Sequence, residues 1–294
     1  MNNKIYLMAA LIAFASVGAL LIQPTVASAQ SSMIDNILNS ALPSSDTNDN
    51  NQPSQANSSD SSSSSSSAVP LSTSLSCGQV VKQSVKLTAN LDCKTDGLIV
   101  GADGITIDLN GFTLTGPGDK SSKVGVMFAD NDDVTVQGPG TIENFQAGAL
   151  FSGGEENKIS KVTFQNNEIG IFETGAKNTA VEYNSMFDNS IGVAAHSSSG
   201  TSLNTNIFNN NDLAGVTLVN SAGNQLSTNT IQGSVNGIFL DGQSTKNNVD
   251  KNNVMNNRGV DLNNGNGLPT NINDNVFADN NCNTSVPDGL CLGR

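Results

Sequence analysis

The residues able to carry acid–base or metal chemistry are few and scattered. His196 is the only histidine. Proton transfer would need a carboxylate within hydrogen-bond reach. The next acidic side chain in the equivalent position, Asp241, stands two repeats away, so an exposed turn residue is the favoured reading. Asp130, Asp132 and Asp133 share one short stretch and could hold a hard cation such as Ca²⁺. A solvated acidic turn is the simpler account, because no full ligand set is visible. Glu173 interrupts an otherwise apolar position. Burial would raise its pKa and make it a candidate acid; a local register shift turning it to solvent is the favoured alternative. One His and no Met or Cys cluster disfavour a soft-metal site.

The elements that must position these residues repeat. A Gly followed by a small or branched apolar residue occurs at Gly104, Gly125, Gly148, Gly170, Gly192, Gly215, Gly237 and Gly259, with successive intervals of 21, 23, 22, 22, 23, 22 and 22 along the chain. A fixed period of this size indicates a solenoid. Within each unit apolar residues alternate, as in Ile171 and Val193 with Phe151 or Leu218 two positions on, which is the period of a strand. No helical stripe runs through the units. Three short strands joined by tight turns fit a coil of this length.

A second phrase recurs as Val181-x-x-Asn184-x-Met186 and its relatives around Asn206, Asn229, Asn252 and Asn275. Equivalent positions in successive coils lie about 4.8 Å apart. The five asparagines are therefore expected to form a structural ladder of side-chain amides, and Asn tolerates the left-handed backbone of a sharp turn. Asn247 falls outside this expected ladder.

From Cys77 to Arg294 the pattern resembles the right-handed parallel β-helix family, which holds NosD-like periplasmic proteins, pectate lyases and polygalacturonases. The most specific match is GLIVGADGITIDLNGFTLTGPG at 97–118, which is similar to the first coil of NosD-like members. The resemblance implies an all-β, right-handed parallel β-helix solenoid of about eight coils. Parallel crossovers favour that hand. It says little about function, because one fold hosts many. Copper is suggested only by the NosD resemblance. The catalytic blocks of the lyases and hydrolases of this fold are missing: Arg occurs only at 258 and 294, and of the hydrolase blocks only Asp132-Asp133 is present. There is no Trp, and Tyr183 is the only tyrosine beyond residue 6. Repeat intervals this short and even also leave no room for the long loops that build clefts.

Solenoid ends need caps. Cys77 and Cys93 flank the first coil, and Cys282 and Cys291 lie at the far end. Eight coils separate the two pairs, roughly 35–40 Å, so only local pairing is expected. This gives two disulfide-stapled caps.

Residues 1–29 read as a signal peptide. Lys4 is followed by the apolar run Ile5 to Ile22 and the cleavage signal Ala27-Ser28-Ala29. An uncleaved membrane anchor is the alternative. Residues 30–76 form a Ser/Asn-rich linker, expected to be disordered, with an amphipathic helix at 33–42 carried by Met33, Ile34, Ile37, Leu38, Ala41 and Leu42. Residues 77–294 are the β-helix domain. The net charge of −13 becomes −14 once Lys4 is removed, which argues against nucleic acid as a partner. Four cysteines fit an oxidising compartment.

The expected protein is secreted or on the cell surface. It is a non-enzymatic structural or binding module that meets a protein or glycan on a flat lateral face, with no cofactor. The alternatives are a carbohydrate-active enzyme with a minimal site and a NosD-type accessory protein in metalloenzyme maturation. Met127, Leu150 and Phe172 follow one another in an outward column and mark the expected docking face. That stripe could instead be covered by the segment Met33–Leu42 or by a second copy.

Overall fold

The computed structural model describes residues 71–72, 74–268, 272 and 274–292. The signal-peptide, linker and helix expectations for residues 1–70 lie outside them. The described chain is a parallel β-solenoid of nine coils with three lateral sheets of ten, ten and nine strands, and every neighbouring pair in a sheet is one coil apart. Sheet I holds the longest strands, including Val124–Ala129, Ala147–Ser152, Ile169–Thr174, Ile191–His196, Ala214–Val219 and Asn236–Leu240. Sheet II holds three-residue strands such as Lys158–Ser160, Ala180–Glu182 and Ser202–Asn204. Sheet III holds others such as Thr141–Glu143, Ser185–Phe187 and Ile207–Asn209. All registered pairs are parallel, for example Ile159 with Val181 and Phe164 with Met186.

Strand alternation builds the core. In sheet II the middle residues Val136, Ile159, Val181, Leu203 and Leu226 point inward and stack. In sheet III Ile142, Phe164, Met186, Phe208 and Ile231 do the same. Sheet I contributes two inward columns, and in one of them the rings of Phe128 and Phe151 stack with centroids 4.1 Å apart. Together these columns make one continuous apolar interior.

The repeated glycine is imposed by close approach of successive coils. A Cβ on Gly148, Gly170, Gly192 or Gly215 would lie within 2.8 Å of the carbonyl oxygen of the glycine one coil on. The column begins at Gly97, whose added Cβ would meet the Gly125 carbonyl. Gly104 is instead a turn residue with φ +66. At the other end Asn236 pairs with Val260 and Ile238 with Leu262, so Asp261, not Gly259, follows Gly237 in the column. The regular spacing also breaks twice. Residues 116–123 connect Thr113–Thr115 to Val124–Ala129, and residues 265–275 connect Val260–Asn264 to Val276–Ala278. The stack is therefore not free of longer loops, as its spacing had implied.

Each of the three corners carries its own amide ladder. Before sheet III the members are Asn184, Asn206, Asn229, Asn252 and Asn280, each Nδ2 donating to the next Oδ1 at 3.0–3.2 Å. Each Nδ2 also donates to a carbonyl of the preceding coil, as Asn229 does to Leu203 at 2.9 Å. Each Oδ1 further accepts a backbone N–H, as Asn229 does from Asn206. These side chains are buried and fully satisfied. Asn275 is not their fifth member. It belongs to the ladder before sheet II, where Asn224 donates to Asn247 at 2.9 Å and Asn247 to Asn275 at 3.0 Å. Asn247 is thus a ladder residue too. A third ladder runs Asn167, Asn189, Asn211 before sheet I. The left-handed residue of the sheet II to sheet III corner is not the ladder Asn but the one before it: Tyr183, Thr205, Thr228 and Lys251 all have φ between 53° and 58°.

The ends are stapled as expected. Cys77 bonds to Cys93 and Cys282 to Cys291. At the far end the buried Asp261 carboxylate accepts from the Asn257 side chain at 2.9 Å and from the backbone N–H of Asn283 and Thr284 at 2.9 and 3.1 Å. It ties the last coil to the one beneath the cap.

Candidate functional site

The sequence-derived candidates do not converge. His196 ends its sheet I strand, half-buried, between Thr174 and Val219 of the adjacent coils. Asp130 and Asp133 occupy left-handed turn positions, with φ of 51° and 53°. Asp132 is a turn former: its Oδ1 accepts the Glu155 N–H at 2.8 Å, and its own N–H donates to Asp103 at 3.0 Å. The hollow beside Asp130 and Asp132 also admits Lys177. Among the described residues no group of three or more His, Cys, Asp or Glu side chains is placed to hold a metal ion. The three aspartates thus build the turn, as the simpler account of the sequence had it.

Glu173 is inside the solenoid, not turned to solvent by a register shift. It is fully buried, and its register is regular: it pairs with Phe151 on one side and Ala195 on the other. Its Oε2 accepts a 2.7 Å hydrogen bond from Thr201 Oγ1. The local cause is a gap in the ladder before sheet II. Between Asn157 and Asn224 that column holds Thr179 and Thr201, both buried. The shorter Thr side chains leave room that the carboxyl enters. Burial pushes its pKa up to about 7, and the Thr201 hydrogen bond offsets this in part.

Leu150 and Phe172 do point outward from sheet I, but they are not exposed. Leu150 is 1% and Phe172 0% accessible, while Met127 is half-buried. They belong to a second apolar cluster on the outer side of sheet I, with Ile169, Ile191, Ala194 and Ala214. A freely exposed apolar stripe at Met127, Leu150 and Phe172 is therefore ruled out.

Sheet III presents a different wall, which the sequence reading missed. Its outward column runs Thr115, Glu143, Gln165, Phe187, Asn209, Gln232 in direct register. Thr115 and Gln165 both donate to the Glu143 carboxylate, at 3.0 and 2.7 Å. Gln232 donates to Asn209 at 3.3 Å. Phe187 sits half-buried between these polar pairs; the exposed Tyr183 stands in the turn before its strand, and the exposed Ile207 begins the sheet III strand of the next coil. The signal in the sequence was the third residue of each sheet III strand, read from the ladder Asn outward.

The nine stacked coils, stapled ends and buried amide ladders define a parallel β-solenoid with three lateral walls. Within that class the chain belongs to the NosD family: the family described as periplasmic copper-binding protein (NosD) matches residues 95–289. No curated protein matches the chain. Among solved structures it is similar to tailspike protein 2 of an Escherichia coli O157:H7 bacteriophage, at 13% identity and TM-score 0.46, covering 71% of this chain and 36% of that one. It is also similar to the mannuronan C-5 epimerase A-module of Azotobacter vinelandii, at 12% identity and TM-score 0.35, covering 70% and 76%. The chain thus spans about a third of the tailspike, and neither likeness bears on chemistry.

The donor set does not fit the copper of the family description. Among the described residues His196 is the single imidazole, all four cysteines are in disulfides, Met186 is sealed in the core, and the half-buried Met127 and Met255 lie in sheet I and after a sheet III strand, not beside one another in the fold. Soft copper sites need such donors clustered.

Proposed function

We propose that this chain is an extracytoplasmic β-helix that binds an extended partner along its side and does not transform it. The observation that carries the reading is the straight outward column of sheet III. Carboxylate, carboxamide and hydroxyl groups stand there about 4.8 Å apart, with the Phe187 ring at mid-column. Polar groups already paired side to side, around one apolar platform, suit a repeating polar chain such as a polysaccharide. A ring face takes the apolar side of a sugar, and the amides take its hydroxyls. The net charge of −13 selects neutral or cationic chains over acidic ones. An extracytoplasmic setting is supported by the two disulfides and by the apolar run Ile5 to Ile22 followed by Ala27-Ser28-Ala29.

The test is incubation with a panel of neutral, cationic and acidic polysaccharides, followed for retention and for new reducing ends or unsaturated products. Retention without products is expected. Clear turnover would replace the binding reading with a carbohydrate-active enzyme. A role in metalloenzyme maturation is favoured only by the family description. Copper uptake by the purified protein would revive it.

A further inference from the structure

A sheet face that looks outward yet meets no water requires a cover. The outward residues Leu150, Phe172, Ala194 and Thr217 of sheet I are at most 1% accessible. The comparable outward residues of sheet III are not: Ile207 is 48% exposed, and Phe187 is half-buried. The sealing is confined to mid-stack. Val80, low in the same sheet I column, is 48% exposed, and Met127 and Asn263 are half-buried. Among the described residues every strand of three residues or more lies within the three walls, and none lies over sheet I.

We propose that the cover is the chain's own segment Met33–Leu42, laid as an amphipathic helix on the outer face of sheet I. This inference is independent of the partner proposed for sheet III. Three features commit the face to that occupant. The segment carries six apolar residues at helical spacing, Met33, Ile34, Ile37, Leu38, Ala41 and Leu42. A ten-residue helix is about 15 Å long, and the sealed rows from Leu150 to Phe239 span four coil steps, about 19 Å. The tether also fits. Residues 43–70 supply 28 residues up to Leu71–Ser72, which pairs with Val85–Lys86 at the base of the stack. A random coil of 28 residues has a mean span of about 29 Å. Ala194 lies about six coil steps above the base, also about 29 Å. The tether thus holds the segment at high effective concentration over the face. The leader run Ile5 to Ile22 is apolar all round and lacks the polar side a surface cover needs.

The experiment uses the full chain with a single added thiol, since all four native cysteines are bonded. Ala194→Cys reports on the face, and Val80→Cys is the exposed control. With a maleimide probe, Ala194→Cys should react about 100-fold more slowly than Val80→Cys, because labelling must wait for local opening. Adding Ile34→Asp and Leu38→Asp should bring it within about threefold of the control, with circular dichroism and melting of the solenoid retained. Thr217→Cys is the second reporter if Ala194→Cys misfolds. Fast labelling of both reporters in the otherwise native chain would overturn the cover. So would protection that survives the two Asp substitutions, which would assign the face to the leader. Protection that rises with protein concentration would assign it to a second copy and would equally overturn the proposal.

Discussion

Thr201 Oγ1 donates a 2.7 Å hydrogen bond to the carboxyl of Glu173, one coil away and wholly inside the solenoid. The carboxyl occupies space that an Asn ladder would otherwise fill, and burial raises its pKa to about 7. The folded state therefore holds a proton between pH 4.5 and about 7 that the unfolded chain has released. The contribution of this group is full below the unfolded value and is lost as pH rises through about 7. The loss amounts to about 3 kcal/mol. Denaturation midpoints should fall between pH 5 and pH 8, and Glu173→Gln should flatten that slope and be the more stable protein at pH 8. A wild-type midpoint that rises over this range would contradict the assignment.

The amide ladders predict a pattern among asparagines. Asn229→Leu and Asn247→Leu each interrupt a ladder and strand buried groups on both neighbours. Each should cost about 2–6 kcal/mol, from about 1–3 kcal/mol for the unsatisfied group on each neighbour. Gln225→Leu, on the exposed side of sheet II, should change stability by less than about 0.5 kcal/mol. Urea melts of the three variants decide this, and equal midpoints would remove the ladders from the account.

Those ladders show how far the sequence could be read. The alternation of Val181 and Leu203 with polar neighbours, and the recurrence of Gly148 to Gly237, were legible because each is a contact between adjacent coils. The last ladder step was not. Asn252 and Asn275 are one ordinary period apart in the sequence, yet the true steps there are 28 residues, Asn247 to Asn275 and Asn252 to Asn280. An insertion equal to the spacing between two ladders moves one into the register of the other. Leu150 and Phe172 were rightly placed outward, but a strand pattern cannot report what lies on a sheet. The depth of Glu173 was hidden for a related reason. Only the short Thr179 and Thr201 in the neighbouring corner make room for it.

The glycine column predicts intolerance of a single methyl. In Gly192→Ala the new Cβ would lie 2.6 Å from the Gly215 carbonyl and 2.5 Å from the Phe208 ring. The adjacent coils must part or the ring must move, costing about 1–3 kcal/mol. Gly223→Ala is strained by backbone φ but opens on empty space, and should cost about 1 kcal/mol. A smaller effect at Gly192 than at Gly223, in thermal melts, would count against close coil approach as the reason for the repeat.

Reduction should loosen the ends and spare the middle. Cys77–Cys93 and Cys282–Cys291 close loops of 16 and 9 residues in sequence separation, one at each end. Each is expected to contribute about 2–3 kcal/mol. Hydrogen exchange after mild reduction should accelerate in Gln79–Val81 and Ser285–Val286, with the amides of Ile191–His196 unchanged. Uniform acceleration through the stack would show that the caps do not act locally.

The binding account stands or falls on the wall of sheet III. The direct measurement is retention of a neutral or cationic polysaccharide by the native protein, by Phe187→Ala and by Gln165→Ala with Asn209→Ala, with product analysis in the same samples. Loss of the ring should weaken retention about tenfold, the scale of one apolar anchor. Loss of the two amides should do at least as much, and no new reducing ends should form with any protein. Retention unchanged in both variants, or product formation by the native protein, would contradict the account.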